Sequence, residues 1–360
     1  MKILIIANST IGLVKFRKDL IKRLYQNHEV YIATKFDECQ DELQGFSNQI
    51  IEVDMERRGT NLIQEFKLVL QYWRIIRGIK PELVITYTIK PNIYGGIIAR
   101  INHIPYVANI TGLGTAFQKE GFFKEVVILL YKIALKKSKV VFFENRENQR
   151  LFLDSNIVKE EKTWVLNGAG VNLSDFSVED YPKSDKINFL FLGRVMKEKG
   201  VDELFEAMQL LRRDNLNVFL TVVGGCEENY SDKITELVDK GIINYVGWVA
   251  DVHPYIRDCM CSVLPSYHEG MSNTLLESAA MGRPLIASNI HGCKEAIIDG
   301  KSGYCVKKMD SHDLYCKMKQ FVELSWAEKE MMGKASREHV EKVFDKRVVV
   351  ETTVERMELL

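Results

Sequence analysis

Glu269 and Glu277 stand eight positions apart in Glu269-Gly270-Met271-Ser272-Asn273-Thr274-Leu275-Leu276-Glu277, a spacing that suits the grip of hydroxyl groups beside an anion. The apolar run 262–264 reads as a strand, so Glu269 falls in the loop after it and Glu277 one to two turns inside the next helix. Gly270 allows close backbone approach, and Ser272, Asn273 and Thr274 are capping types whose amides open the helix start to an anion. A phosphate there, with one carboxylate on sugar hydroxyls and the other on ribose hydroxyls, makes a nucleotide-sugar site. Upstream, the run 188–192 ends in Gly193-Arg194-Val195-Met196-Lys197-Glu198-Lys199-Gly200, which sets a guanidinium and an ammonium at the carboxyl end of a strand. A bidentate Arg with a point-charge Lys is what a diphosphate requires where no metal neutralises it. Taken alone, the same two residues read as ordinary surface charge. His268, beside Glu269, reads as structural.

The elements that position these residues follow from periodicity. Short β-branched runs recur at 3–7, 30–33, 83–86, 106–110, 140–143 and 164–166, then at 188–192, 218–223, 243–246, 262–264 and 284–288, each followed by a turn and a helical pattern. Continuous apolar strands alternating with helices require a parallel sheet covered on both faces, so each half is expected to be a Rossmann-like, doubly wound α/β domain. The polar stretch 167–186 reads as the inter-domain linker. No repeat of solenoid period occurs.

Composition narrows the classes. The chain has 360 residues, enough for two domains of about 150 residues each. Lys plus Arg and Asp plus Glu are both 49, which gives no polyelectrolyte argument for nucleic acid. Residues 1–170 nevertheless carry +7 and the remainder −7, so two modules with different partners are expected. Seven cysteines, an odd number without a C-x-x-C pair, exclude a disulfide framework and a structural zinc site and fit a reducing compartment. The apolar run after Met1-Lys2 is too short for a signal peptide, and nothing approaches the ~18 apolar residues of a membrane span. The expectation is a cytoplasmic protein.

Two observations bear on partners. The segment from Phe122 to Lys137 is apolar almost all round with Lys gathered at its end, which fits either a helix buried on the sheet or one lying in a membrane interface. Lys15, Arg17, Lys18, Lys22 and Arg23, and the run Trp73-Arg74-Ile75-Ile76-Arg77, fit an anionic surface or a solvated face. The dinucleotide fingerprint is missing: after the first strand, Asn8-Ser9-Thr10-Ile11-Gly12-Leu13-Val14 holds a single glycine, and no Walker A motif occurs. A nicotinamide dehydrogenase and a P-loop NTPase are both disfavoured.

From Gly193 through Glu277 to Gly303 the chain resembles the second domain of family 4 glycosyltransferases of GT-B fold. The E-x7-E motif is carried by Glu269 and Glu277, with Tyr245-Val246-Gly247-Trp248, Gly282-Arg283-Pro284 and Gly292-Cys293-Lys294-Glu295-Ala296 as further matching pieces. The first half is similar to the branch of bacterial capsule, O-antigen and lipid-linked oligosaccharide transferases through Tyr87-Thr88-Ile89-Lys90-Pro91-Asn92, Thr111-Gly112-Leu113-Gly114 and Asn167-Gly168-Ala169-Gly170. The resemblance implies a retaining, metal-independent transfer of a hexose or N-acetylhexosamine from a UDP-sugar to a polyprenyl-diphosphate-linked glycan. It places that work at the cytoplasmic face of the inner membrane, with no cofactor.

On this resemblance Glu269, Arg194 and Lys199 act on the donor sugar and its diphosphate. Glu277, Gly270, Met271, Ser272, Asn273, Thr274, Gly247, Trp248 and Gly12 bind the rest of the donor. Lys90, Asn92, Thr111, Gly112 and Gly114 belong to the acceptor side, where Lys90 reads equally as a surface residue. The absence of Asp-x-Asp agrees with a diphosphate stabilised by Arg194 and Lys199. Residues 1–170 with a returning helix at about 344–360 would form the acceptor domain and 171–343 the donor domain. Gly12 without a second glycine, and Thr111-Gly112 where many members carry a histidine, depart from the pattern. A GT-B epimerase and an inactive donor-binding partner subunit remain the alternatives.

Overall fold

The computed structural model describes residues 1–359 apart from 38, 57–60, 113–116, 118–120 and 228, and for 123 the backbone alone. Among the described residues thirteen strands form in chain order: β1 (Lys2–Ile6), β2 (Glu29–Thr34), β3 (Gln49–Glu52), β4 (Leu83–Tyr87), β5 (Tyr106–Ile110), β6 (Val140–Phe143), β7 (Thr163–Val165), β8 (Ile187–Leu192), β9 (Val218–Val223), β10 (Ile243–Gly247), β11 (Cys261–Leu264), β12 (Leu285–Ser288) and β13 (Gly303–Val306). All pair in parallel. Two sheets result, in the orders β3-β2-β1-β4-β5-β6-β7 and β10-β9-β8-β11-β12-β13. Strands such as Lys2–Ile6 and Cys261–Leu264 are buried on both faces, which is why their sequences run apolar without alternation.

The chain divides into two compact units, Met1–Ala169 with Lys346–Leu360, and Gly170–Asp345. In the first, helix Lys346–Arg356 lays Val350 and Val354 against Leu20, Ile21 and Leu24 of helix Thr10–Tyr25, and Arg23 binds Glu351 at 2.8 Å. In each unit the strand order reverses once, between β1 and β4 and between β8 and β11. Ligands of open α/β sheets bind beyond the carboxyl ends of the strands at that reversal. Among the described residues no helix is long and apolar enough to cross a membrane.

The stretch 167–186, expected as a linker, is packed in part onto the second unit, which begins at Gly170. Val171 is buried and its N–H donates to the Phe344 carbonyl, while the Tyr181 hydroxyl donates to the Met260 carbonyl. Arg283, fully buried, donates to the carbonyls of Glu179, Asp180, Ile256 and Arg257, which ties the stretch to the helix after β10.

Candidate active site

Beyond the carboxyl ends of β8 and β11, three glycine contacts bring distant loops together. Gly200 has φ +70°, and a Cβ there would stand 2.0 Å from the Pro265 carbonyl oxygen. Only glycine permits this approach, which seats Lys199 against the loop after β11. Lys199 Nζ lies 2.5 Å from Glu269 Oε1, and the Ser266 hydroxyl donates to the same oxygen at 2.7 Å. Both charged side chains are mostly buried, at 20% and 13% exposed. Gly292, at φ +88°, closes on the far side; its Cβ would fall 2.6 Å from the Gly270 carbonyl and 2.9 Å from Glu269 Cβ. The Ser272 N–H donates to the Gly292 carbonyl. Glu269 is thus held by a cation, a hydroxyl and the close approach of Gly292.

Glu277 projects from the helix Asn273–Ala280, and the Ser272 side chain at its N-cap accepts from none of the first-turn N–H groups. The Ser272 hydroxyl instead faces the Thr274 hydroxyl at 3.2 Å. The helix start therefore keeps its first-turn amides without a side-chain cap, the arrangement an anion uses. Met271 is buried beneath it. His268 Nε2 is buried with no hydrogen-bond partner among the described residues.

The third contact positions the guanidinium. Gly224 carries φ +143°, and a Cβ would collide with the Gly193 carbonyl at 1.9 Å. The Gly247 carbonyl accepts the Gly224 N–H at 2.7 Å, and Gly247 itself adopts φ +80°. Beyond this point Val195 N–H donates to Gly225 O and Glu227 N–H to Val195 O. Arg194 Nη1 then meets Glu227 Oε2 at 2.6 Å, a partner that the sequence reading missed. Trp248 extends into solvent, 63% exposed.

In the first unit the sequence-derived candidates separate. Lys90 is tied down: its ammonium donates to the Glu56 carbonyl at 2.8 Å and to Glu65 Oε1 at 2.5 Å. Asn92, expected on the acceptor side, is instead an internal strut, 1% exposed. Its amide carbonyl accepts from Thr86 and its NH2 donates to the Asn109 carbonyl. Between them the chain is strained, with Thr88 at φ +73° and its hydroxyl buried without a partner among the described residues, just before a π-helical turn at Pro91–Gly95. A β-branched residue in the left-handed region costs about 1–3 kcal/mol. Thr111 and Gly112 follow β5, half-buried. Gly114 lies outside the described residues.

Gly12 sits inside the first turn of helix Thr10–Tyr25, whose N-terminus is already filled. Asp37 Oδ2 accepts both the Ile11 N–H at 2.9 Å and the Ser9 hydroxyl at 3.0 Å, and Ser9 caps Gly12. A carboxylate of the chain itself thus occupies the place where this helix would hold a phosphate. Nothing in the residues around Gly12 signals this, since Asp37 lies beyond β2.

Residues 186–323 match the family described as "Glycosyl transferases group 1" and residues 2–145 the family "Glycosyl transferase 4-like". The chain is 28% identical over 342 residues to N,N'-diacetylbacillosaminyl-diphospho-undecaprenol alpha-1,3-N-acetylgalactosaminyltransferase of Campylobacter jejuni, covering 90% of each. It is 27% identical to the UDP-Gal:alpha-D-GlcNAc-diphosphoundecaprenol alpha-1,3-galactosyltransferase of Escherichia coli, covering 70% of this chain and 69% of that one. The crystal structure of Anabaena Alr3699/HepE in complex with UDP superimposes with a TM-score of 0.82 at 16% identity over the whole of both chains, a likeness of fold.

Proposed function

Because the chain belongs to the group 1 glycosyltransferases and has the GT-B fold, we propose that it transfers a hexose or N-acetylhexosamine from a UDP-sugar to a polyprenyl-diphosphate-linked glycan, with retention and without a metal. The observation that carries this is the Lys199–Glu269–Ser266 cluster beside the uncapped helix start. There a carboxylate can take sugar hydroxyls while Lys199, with Arg194, takes the diphosphate. In the reaction the bond from the sugar's anomeric carbon to the phosphate oxygen breaks, and the acceptor hydroxyl oxygen bonds to that carbon from the same face. The hydroxyl proton passes to the departing diphosphate, whose growing charge Lys199 and Arg194 stabilise. Glu277 is assigned to the ribose. The acceptor class rests on the Campylobacter and Escherichia relatives, whose names specify undecaprenyl-diphosphate substrates.

The test is thermal unfolding of the full chain with UDP and a panel of UDP-, GDP- and ADP-sugars in EDTA. A ligand held only by the folded state at a hundred times its Kd stabilises by about 2.7 kcal/mol. UDP or a UDP-sugar is expected to raise the melting temperature with EDTA present. No shift with any uridine nucleotide, or a shift that EDTA abolishes, would sink the metal-free donor site.

We further assign the first unit to the membrane surface. Helices Leu62–Ile79, Gly96–Ile101 and Phe122–Leu135 pack side by side and leave large apolar side chains in solvent. Leu62 is 84%, Ile63 68% and Phe66 63% exposed, and Ile101, Phe122 and Leu129 are also exposed. Lys67, Arg74 and Arg77 line the first of these helices. The basic residues of helix Thr10–Tyr25, read from the sequence as fitting an anionic surface or a solvated face, carry less of this role. Arg17, Lys18 and Arg23 are paired with Glu144, Glu42 and Glu351, and Lys22 covers Phe46. Replacing Leu62, Ile63 and Phe66 together by Ser is expected to reduce flotation with phosphatidylglycerol vesicles about tenfold or more. Transfer to a short-chain soluble acceptor should persist. Unchanged flotation would remove this face from the assignment.

A further inference from the structure

Arg194, read above as a ligand of the diphosphate, already has an anionic partner. Arg194 Nη1 lies 2.6 Å from Glu227 Oε2, with 40% and 38% of the two side chains exposed. The pairing is not an accident of two long surface chains. Gly224 is pressed against Gly193, and Val195 forms an isolated parallel bridge with Cys226. Hydrogen bonds run from Val195 N–H to Gly225 O and from Glu227 N–H to Val195 O, extending the β8–β9 ladder past the end of the sheet. Both side chains therefore leave backbone that is fixed in register.

We infer that Glu227 is a positioning residue that competes with the donor's diphosphate for Arg194, holding the guanidinium in place while the site is empty and opposing retention of the product nucleotide. The inference rests on the reading of Arg194 as a diphosphate ligand. Its size follows from exposure. A solvent-accessible pair contributes about 0.2–1 kcal/mol, so the competition amounts to a factor of about 1.4 to 5 in affinity. A guanidinium has donors for two partners, which keeps the exchange partial and the effect at the scale of a few-fold.

Isothermal titration of UDP into the full chain distinguishes the possibilities through a double-mutant cycle. Glu227→Gln keeps the shape and removes the charge. It is expected to tighten UDP about 1.4- to five-fold and to lower the KM for the donor by a similar factor. Mere structural damage would weaken binding instead. Arg194→Ala is expected to weaken UDP, and in the Arg194→Ala background Glu227→Gln should bring no comparable tightening. If Arg194→Ala weakens UDP while Glu227→Gln leaves it unchanged or weaker, the competition is refuted and the diphosphate reading stands. Equal tightening in both backgrounds would mean that Glu227 acts through the general field rather than through Arg194, which also overturns the inference. If UDP does not bind the unaltered chain, or binds the Arg194→Ala variant equally well, the diphosphate reading fails and takes this inference with it.

Discussion

Lys199→Ala is expected to lower kcat/KM for sugar transfer about 10²–10³-fold, the scale on which removal of one preorganised charge stabiliser acts in a sheltered site. The geometry supports an effect of that size. The Lys199 side chain is 20% exposed, its ammonium lies 2.5 Å from Glu269, and its backbone is pinned by the Gly200–Pro265 contact. A cation so held needs no reorganisation when the diphosphate departs. Because the developing negative charge exists mainly in the transition state, the loss should fall on kcat more than on KM. Ser266→Ala, which removes one hydrogen bond from Glu269 but no charge, should cost far less. Steady-state kinetics with a UDP-sugar and a lipid-diphosphate acceptor, alongside thermal unfolding to establish that the variant is folded, decides it. A folded Lys199→Ala enzyme within about threefold of the unaltered rate would place the leaving group elsewhere.

Strands and site residues differ in how plainly the sequence shows them. The runs at 106–110, 140–143 and 218–223 coincide with β5, β6 and β9, because a strand buried on both faces has no solvent side to break its apolar pattern. β3 escaped notice for the complementary reason. Gln49–Glu52 is the edge of its sheet and half exposed, so its two isoleucines stand between polar ends and make no run. β13 begins at Gly303, whose lack of a side chain is demanded by a Cβ position 1.9 Å from the Leu285 carbonyl, and a glycine start reads as a turn. In the site, residue type was legible and pairing was not. Arg194 and Glu227 are 33 residues apart, joined only because Gly224 lets one loop lie on another. Asn92 shows the same limit from the other side. A polar residue in a motif can meet a ligand or brace the backbone, and here Thr86, Tyr106 and Asn109 use its side-chain and backbone groups internally.

The largest stability effect is expected at an ion pair the reading of the sequence passed over as surface charge. Arg17 Nη2 lies 2.6 Å from Glu144 Oε1, with the side chains only 9% and 12% exposed. The guanidinium also stands 5.0 Å from the ring centre of the buried Tyr87, whose hydroxyl has no partner among the described residues. Arg17→Ala leaves a buried carboxylate uncompensated, a change that costs about 3–5 kcal/mol. Its pH dependence is distinctive. Burial pushes the Glu144 carboxyl above its ordinary range, and Arg17 pulls it part of the way back. Between the ordinary carboxylate value and the raised one, the folded chain binds more protons than the unfolded chain, so this group's contribution falls as pH rises through that window. Without Arg17 the folded-state value moves further up and the window widens. The variant's deficit should therefore grow as pH rises above the ordinary carboxylate range and shrink on acidification. Urea unfolding of the transition that reports the first unit, compared between Arg17→Ala and the double variant Arg17→Ala with Glu144→Gln, separates charge from packing. The double variant should regain much of the lost stability and lose the added pH dependence, because an amide in place of the carboxyl is neutral throughout. A deficit equal at all pH values, or one that Glu144→Gln leaves untouched, would show that Arg17 supports the fold through its contact with Tyr87 rather than by holding the Glu144 charge.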